Sequence, residues 1–179
     1  MTSKLINIPE NKLDEVLISK LTKSSSALFI VSFVLESGLK LIIDELTKFI
    51  SRDGNRLIII TSNYLKATQP KALELLLSLK DLGAEIYVFD SLESNKSFHI
   101  KGYFFKDAKS QSCIVGSSNI SRTAFRLGFE FNAEISDRNF SQEFLNQGNN
   151  IVNNPFTKEL TKEFIQEYRL LYEENNNTF

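Results

Sequence analysis

Three stretches decide how the chain is read: Ser97-Phe98-His99-Ile100-Lys101-Gly102-Tyr103-Phe104-Phe105, then Cys113-Ile114-Val115-Gly116-Ser117-Ser118-Asn119, then Phe129-Glu130-Phe131-Asn132. His99 is the only histidine among 179 residues. Side chains alternate along an extended segment, which puts His99 and Lys101 on one face and Ile100 and Gly102 on the other. The apolar run Cys113 to Val115 ends in Gly-Ser-Ser-Asn, where small polar residues bring hydroxyl, amide and backbone donors close to an anion. Phe129, Phe131, Ala133 and Ile135 alternate with Glu130, Asn132 and Glu134, which predicts a further strand with Glu130 and Asn132 on one face. Together these supply a nucleophile or acid, a fixed cation and neutral donors, the set that phosphoryl transfer needs.

Upstream, the pattern alternates between helix and strand. Leu13, Val16, Leu17 and Leu21 recur at helical spacing, predicting an amphipathic helix over Lys12 to Leu21 that Ser24-Ser25-Ser26 breaks. Ala27-Leu-Phe-Ile-Val-Ser-Phe33 is a continuous apolar run, suited to a strand buried on both faces. Leu39, Ile42, Leu46, Phe49 and Ile50 mark a second helix ending near Asp53-Gly54. Arg56 to Thr61 is the next buried strand, Ser62 to Gln69 a loop, and Thr68 an N-cap ahead of Pro70. The leucine-rich helix after it stops at Gly83, and Glu85 to Phe89 is the third strand. This order is the grammar of an α/β sheet with right-handed crossovers. Ligands gather at the carboxyl ends of such strands, which nominates Ser32, Thr61, Ser62 and Asn63 as rim residues, with plain turn and capping roles as the alternative.

Downstream, Asp90 to Lys96 is polar and reads as a mobile loop, and the motif strands are joined by a turn through Lys106 to Gln111. A short helix is expected near Thr123 to Arg126, and an asparagine-rich loop over residues 146 to 154. Leu160, Phe164, Tyr168 and Leu171 define a final helix, followed by a polar, frayed tail from Glu173 to Phe179.

The length suits one ordinary domain with a real core, and a composition 42% hydrophobic and 24% charged is that of a soluble globular protein. No apolar run approaches membrane-spanning length and the N-terminus lacks a signal-peptide pattern, so a cytoplasmic protein without membrane attachment is expected. A lone Cys113 forms no internal disulfide and suits a buried strand. Net charge is −1, but Ser97 to Gly128 holds five cations against Asp107, whereas Phe129 onward holds nine acids and four bases. A basic patch around the motif fits a focused phosphate site better than a broad nucleic-acid surface. One histidine, one cysteine and no acidic cluster facing the motif strands are too few ligands for a zinc or two-metal site, so neither metal nor cofactor is expected. A Gly-x-x-x-x-Gly-Lys-Ser/Thr loop is also missing, so no ATPase lies within these residues.

His99-x-Lys101 followed by Gly116-Ser117-x-Asn119 resembles the HKD signature of the phospholipase D superfamily, with Glu130 where members place an acidic residue behind the histidine. Val31-Ser32-Phe33, Ser37-Gly38-Leu39, Thr61 to Pro70, Gly116 to Ser121 and Gly128 to Asn132 extend the likeness from Leu13 to Ile135. They look like the phospholipase D-like nuclease domain found at the N-terminus of some bacterial superfamily II helicases and in metal-independent restriction endonucleases. The resemblance implies an α/β fold whose mixed, mostly buried central sheet is flanked by helices on both faces. It also implies a two-step, metal-free reaction: His99 attacks phosphorus, a second histidine protonates the leaving oxygen and then activates water, Lys101, Ser117 and Asn119 hold the phosphate oxygens, and Glu130 supports His99.

Two histidines are needed and the chain has one. Single-motif members form symmetric dimers with the site on the two-fold axis, so a homodimer is expected. The HKD pattern also expects Asp where Lys106 stands, with Asp107 one residue further on. The expectation is one domain over residues 1–172 with a tail or linker stub at 173–179, cutting DNA in restriction or defence, alone or in one polypeptide with a helicase or DNA-recognition domain. The alternative, favoured by the shifted Asp107, is a dimeric module that grips DNA phosphates without cutting; a lipid phosphodiesterase ranks below both.

Overall fold

The computed structural model describes residues 2–176. In chain order its elements are β1 (Thr2–Ile8), α1 (Leu13–Lys23), β2 (Ser26–Val31), α2 (Glu36–Leu39), α3 (Ile43–Ile50), β3 (Arg56–Ser62), α4 (Pro70–Asp81), β4 (Glu85–Phe89), α5 (Ser91–Ser94), β5 (Lys101–Lys106), β6 (Gln111–Gly116), β7 (Glu130–Ser136), α6 (Arg138–Val152), β8 (Thr157–Glu159) and α7 (Lys162–Asn176). A 3₁₀ turn at Tyr64–Lys66 follows β3, and a π-helical turn at Thr123–Leu127 precedes β7.

Eight strands form one sheet in the order β1-β7-β6-β5-β2-β3-β4-β8. β2, β3 and β4 run parallel, and every other neighbouring pair is antiparallel, so the sheet is mixed as the resemblance implies. The apolar run of β2 serves two cores: Ala27, Phe29 and Val31 join one, Leu28 and Ile30 the other. The first core is roofed by Leu13, Leu17 and Leu21 of α1, Phe49 of α3, Leu73 and Leu76 of α4 and Tyr168 of α7. The second lies beneath Phe144, Leu145, Ile151 and Val152 of α6.

α6 corrects the sequence reading. Asparagines and Gly148 suggest a loop over 146–154, yet all but the last two of these residues are helical. Asp137 caps the helix by accepting from Phe140 N at 2.8 Å, and tertiary packing of its apolar stripe outweighs the poor local propensity. Gly148 is what lets the helix sit down on the sheet, since a Cβ there would lie 2.5 Å from Leu28 Cδ2.

Other local readings also change. β1 and β8 are edge strands that the sequence does not announce: each is held by pairing with a strand far away in the chain. The helix expected over Leu39 to Ile50 is broken between α2 and α3. Thr68 is not an N-cap, because its hydroxyl donates to Ser62 O at 2.6 Å and Gln69 holds the capping position without a side-chain bond. Asp90 to Lys96 is tied down: Asp90 caps α5 and accepts from Asn63 Nδ2 at 2.7 Å and Lys158 Nζ at 2.9 Å. α7 continues through residue 176, so the start of the expected frayed tail is helical, and residues 177–179 lie outside the described residues.

Candidate active site

The ends of β5, β6 and β7 lie side by side, with Gly102 opposite Val115 and Gly116 opposite Asn132. That register brings the segments carrying His99 and Lys101, Ser117 and Asn119, and Glu130 to one end of the sheet. Gly116 permits the closeness, since a Cβ there would collide with the Phe131 carbonyl and Asn132.

His99 itself precedes the strand, because β5 begins at Lys101. Its backbone is nevertheless fixed. Phe98 is buried and stacks on Phe89 with ring centroids 5.2 Å apart. The Phe98 carbonyl accepts from the buried Ser32 hydroxyl, and Ser62 Oγ donates to Ser32 O at 2.7 Å. Asn63 is buried and accepts from Ser91 N at 2.7 Å, while the buried Thr61 hydroxyl has no partner among the described residues. These four residues are thus part of the rim's buried frame. Tyr64, which no sequence signal marks, sets its ring edge-on to the exposed His99 imidazole, centroids 5.6 Å apart at 78°.

Lys101 Nζ lies 2.5 Å from His99 Nδ1 and 3.1 Å from the His99 carbonyl. A charged ammonium only donates, so this contact makes Nδ1 an acceptor and leaves the ring proton on Nε2. Burial pulls the Lys101 pKa below its ordinary value, and the Glu130 carboxylate opposes that pull. Glu130 does not pair with His99 as the resemblance implies; it accepts from Ser117 Oγ, which in turn accepts from Phe131 N at 3.2 Å. Asn119 is buried and its Oδ1 accepts from Phe33 N at 3.1 Å, leaving the amide nitrogen without a protein partner among the described residues. Beneath this loop, Tyr103 Oη donates to Ser118 O at 2.8 Å and Asn132 Nδ2 to Ser118 Oγ at 2.9 Å. The Tyr103 phenol is fully buried, which pushes its pKa far up and keeps it neutral.

Asp107 is not part of this constellation. It lies at the other end of β5, about 17–20 Å from Lys101 by strand rise, and caps the hairpin by accepting from Lys109 N at 2.6 Å and Ser110 N at 2.7 Å. Its shift by one residue therefore falls in a turn, at the opposite end of β5 from His99 and Lys101. Among the described residues no group of three or more His, Cys, Asp or Glu is placed to hold a metal ion.

The family model described as "Cardiolipin synthase, PLD-like domain" matches residues 17–152, a span that contains every residue of the constellation. The chain belongs to the phospholipase D-like family. Comparison with curated proteins found no match. Among solved structures, Nuc, a phospholipase D family member from Salmonella typhimurium, is similar over 88% of this chain and 97% of its own, at 15% identity and TM-score 0.69. NucT from Helicobacter pylori is similar over 84% of this chain and 95% of its own, at 17% identity and TM-score 0.63. TrmBL2, an archaeal chromatin protein with its own mode of DNA binding, matches 84% of this chain and 51% of its own, at 14% identity and TM-score 0.56. At these identities the likeness establishes the phospholipase D-like fold.

One flank of the site is strongly apolar. Phe129 is 95% exposed, Leu127 61%, Phe131 68% and, on the paired strand β1, Leu5 60%. The alternation of β7 thus faces opposite to the usual sense: Asn132 is buried and Phe131 points out. α6 packs over Cys113 and Val115 of the same sheet face but leaves Phe131 and Leu5 open. Among the described residues no helix is long and apolar enough to cross a membrane.

Proposed function

We propose that this chain is a metal-independent phosphodiesterase that cleaves DNA at a site shared by two copies. The observation that carries this reading is a half-site beside an uncovered apolar flank. One exposed histidine, one partly buried lysine and a Ser117–Glu130 pair stand next to Phe129 and Phe131. Exposed apolar surface of this kind marks an association surface, and a two-fold axis through it doubles every group at the site.

In the proposed reaction, His99 Nε2 attacks phosphorus and the P–O bond to the leaving strand breaks. The partner's His99, protonated, gives its proton to the leaving oxygen. As a base it then takes a proton from water, whose oxygen attacks phosphorus and breaks the P–N bond, returning His99. The attacking form needs Nδ1–H, and the Lys101 contact must open to give it. A bound phosphate supplies the cause, because its non-bridging oxygens draw Lys101 Nζ away from Nδ1. Asn119 Nδ2 and Ser117 Oγ add donors to the same oxygens, and in this proposal Glu130, released when Ser117 turns to the phosphate, accepts from Nδ1–H.

The site residues, the homodimer, and a single domain over 1–172 with 173–179 leading on all belong to this proposal. So does a cytoplasmic role in restriction or defence, with or without a helicase or DNA-recognition domain in the same polypeptide.

A second reading has its own support. His99 Nδ1 is occupied by Lys101 and Glu130 by Ser117, which keeps the ring proton on Nε2 and the imidazole out of its attacking form; the TrmBL2 match pairs this fold with DNA binding. The test is cleavage of labelled DNA in EDTA. Cutting by the native chain and none by His99→Ala supports the phosphodiesterase; binding without cutting by either supports the second reading; cutting only with added Mg²⁺ refutes the mechanism.

A further inference from the structure

On the side of His99 formed by β3, the chain makes an unusual turn. Leu65 has φ 55° and Lys66 φ 52°, two consecutive non-glycine residues in left-handed backbone; Asn95 is the only other described non-glycine residue with positive φ. Each such residue is strained, and strain of this kind persists only where its surroundings enforce it. Here they do: Tyr64 N donates to Ser62 Oγ at 3.2 Å, Lys66 N to Asn63 O at 2.9 Å and Ala67 N to Tyr64 O at 3.2 Å. The turn holds the Tyr64 ring against His99 and leaves Leu65 67% exposed. Lys66 makes no ion pair among the described residues, unlike Lys158 or Lys20, which are held by carboxylates.

An aromatic ring, an exposed aliphatic side chain and an unpaired cation in three successive residues, adjoining the histidine, make an amphipathic shelf. The Lys101–Ser117 side supplies donors for a phosphate; this shelf supplies apolar surface and one further charge. We propose that Tyr64, Leu65 and Lys66 form a subsite for the nucleotide next to the reacting phosphate, the base stacking on Tyr64 and Leu65 and its outer phosphate meeting Lys66. Stacking needs an unpaired base, so the substrate class is single-stranded DNA or a frayed end rather than closed duplex. This inference rests on the DNA reading above.

Binding, not turnover, tests it. A fluorescein-labelled phosphorothioate ten-mer, single-stranded or annealed, is titrated with the native chain and followed by anisotropy in EDTA. Tyr64→Ala and Leu65→Asn each weaken single-strand binding on the order of tenfold, whereas Tyr64→Phe stays within about twofold because it keeps the ring. Duplex binding changes less than about twofold in all three, since closed pairs present no free base face. Lys66→Asn lowers the slope of log affinity against log salt by about 0.7. Asparagine tolerates positive φ, so Leu65→Asn and Lys66→Asn keep the fold. If the variants bind like the native chain, or lose single strand and duplex equally, the subsite is wrong and the DNA reading stands. If the native chain binds neither oligonucleotide, both fall.

Discussion

Replacing Phe129 by alanine separates folding from assembly. Its side chain is 95% exposed, so the folded chain loses almost no packing, and its stability should move by less than about 0.5 kcal/mol. If the apolar flank is buried in a two-fold dimer, the substitution acts twice per dimer. Burying one phenylalanine contributes about 1.5–3 kcal/mol, so the dimer weakens by about 3–6 kcal/mol, or about 10²–10⁴ in Kd. Sedimentation velocity over a dilution series, beside a urea melt, reads both quantities. The expected result is an unchanged monomer melt, dissociation at much higher concentration, and a specific activity that falls on dilution because a lone chain holds half a site. A Kd within threefold of the native value would refute the placement of the axis at Phe129. So would a dissociation accompanied by an equal loss of fold stability.

Glu130→Gln keeps an acceptor for Ser117 but removes the charge that opposes the burial shift of Lys101. The Lys101 pKa then falls further, and since the ammonium is the form that holds phosphate, the alkaline limb of the kcat/KM profile moves to lower pH; a limb that stays put or rises contradicts this. Asp107→Ala removes three bonds that hold the β5–β6 hairpin, including Ser110 Oγ at 2.7 Å. It lowers the melting temperature by a few degrees while leaving kcat unchanged, whereas a large loss of kcat would place Asp107 in the chemistry after all. Backbone and side-chain donors hold the Asp107 carboxyl pKa below its ordinary value, so its contribution is present above the unfolded pKa and is lost as pH falls through the folded one.

Most of the sheet is legible in the sequence because its central strands are short apolar runs and its helices carry one apolar stripe each. β2 and β3 bury both faces and read as such. What fails is what depends on partners far away in sequence. β1 is a strand because β7 pairs with it, and α6 is a helix through Asn149 and Asn150 because its apolar stripe packs on Phe104, Cys113 and Leu28. At the site, the resemblance nominates His99, Lys101, Ser117, Asn119 and Glu130 and the register of three strands gathers their segments, but side-chain pairing follows local geometry: Lys101, two residues on, reaches Nδ1 while Glu130 takes Ser117. Tyr64 lies 35 positions from His99 in the chain, and only the β3 end brings it near. Phe129 and Phe131 follow the period of a buried strand, and their exposure becomes visible only once α6 is seen to leave them open.

In the proposed reaction His99 forms a covalent bond to phosphorus, and trapping that bond is the direct test. The native chain is mixed in EDTA with excess oligonucleotide, quenched in alkali, which preserves phosphoramidates, digested and weighed by mass spectrometry. The expected result is a nucleotide-sized mass increment on the peptide containing His99, appearing before product and absent from His99→Ala. DNA cut at full rate with no adduct at any time, or an adduct on another residue, would contradict it.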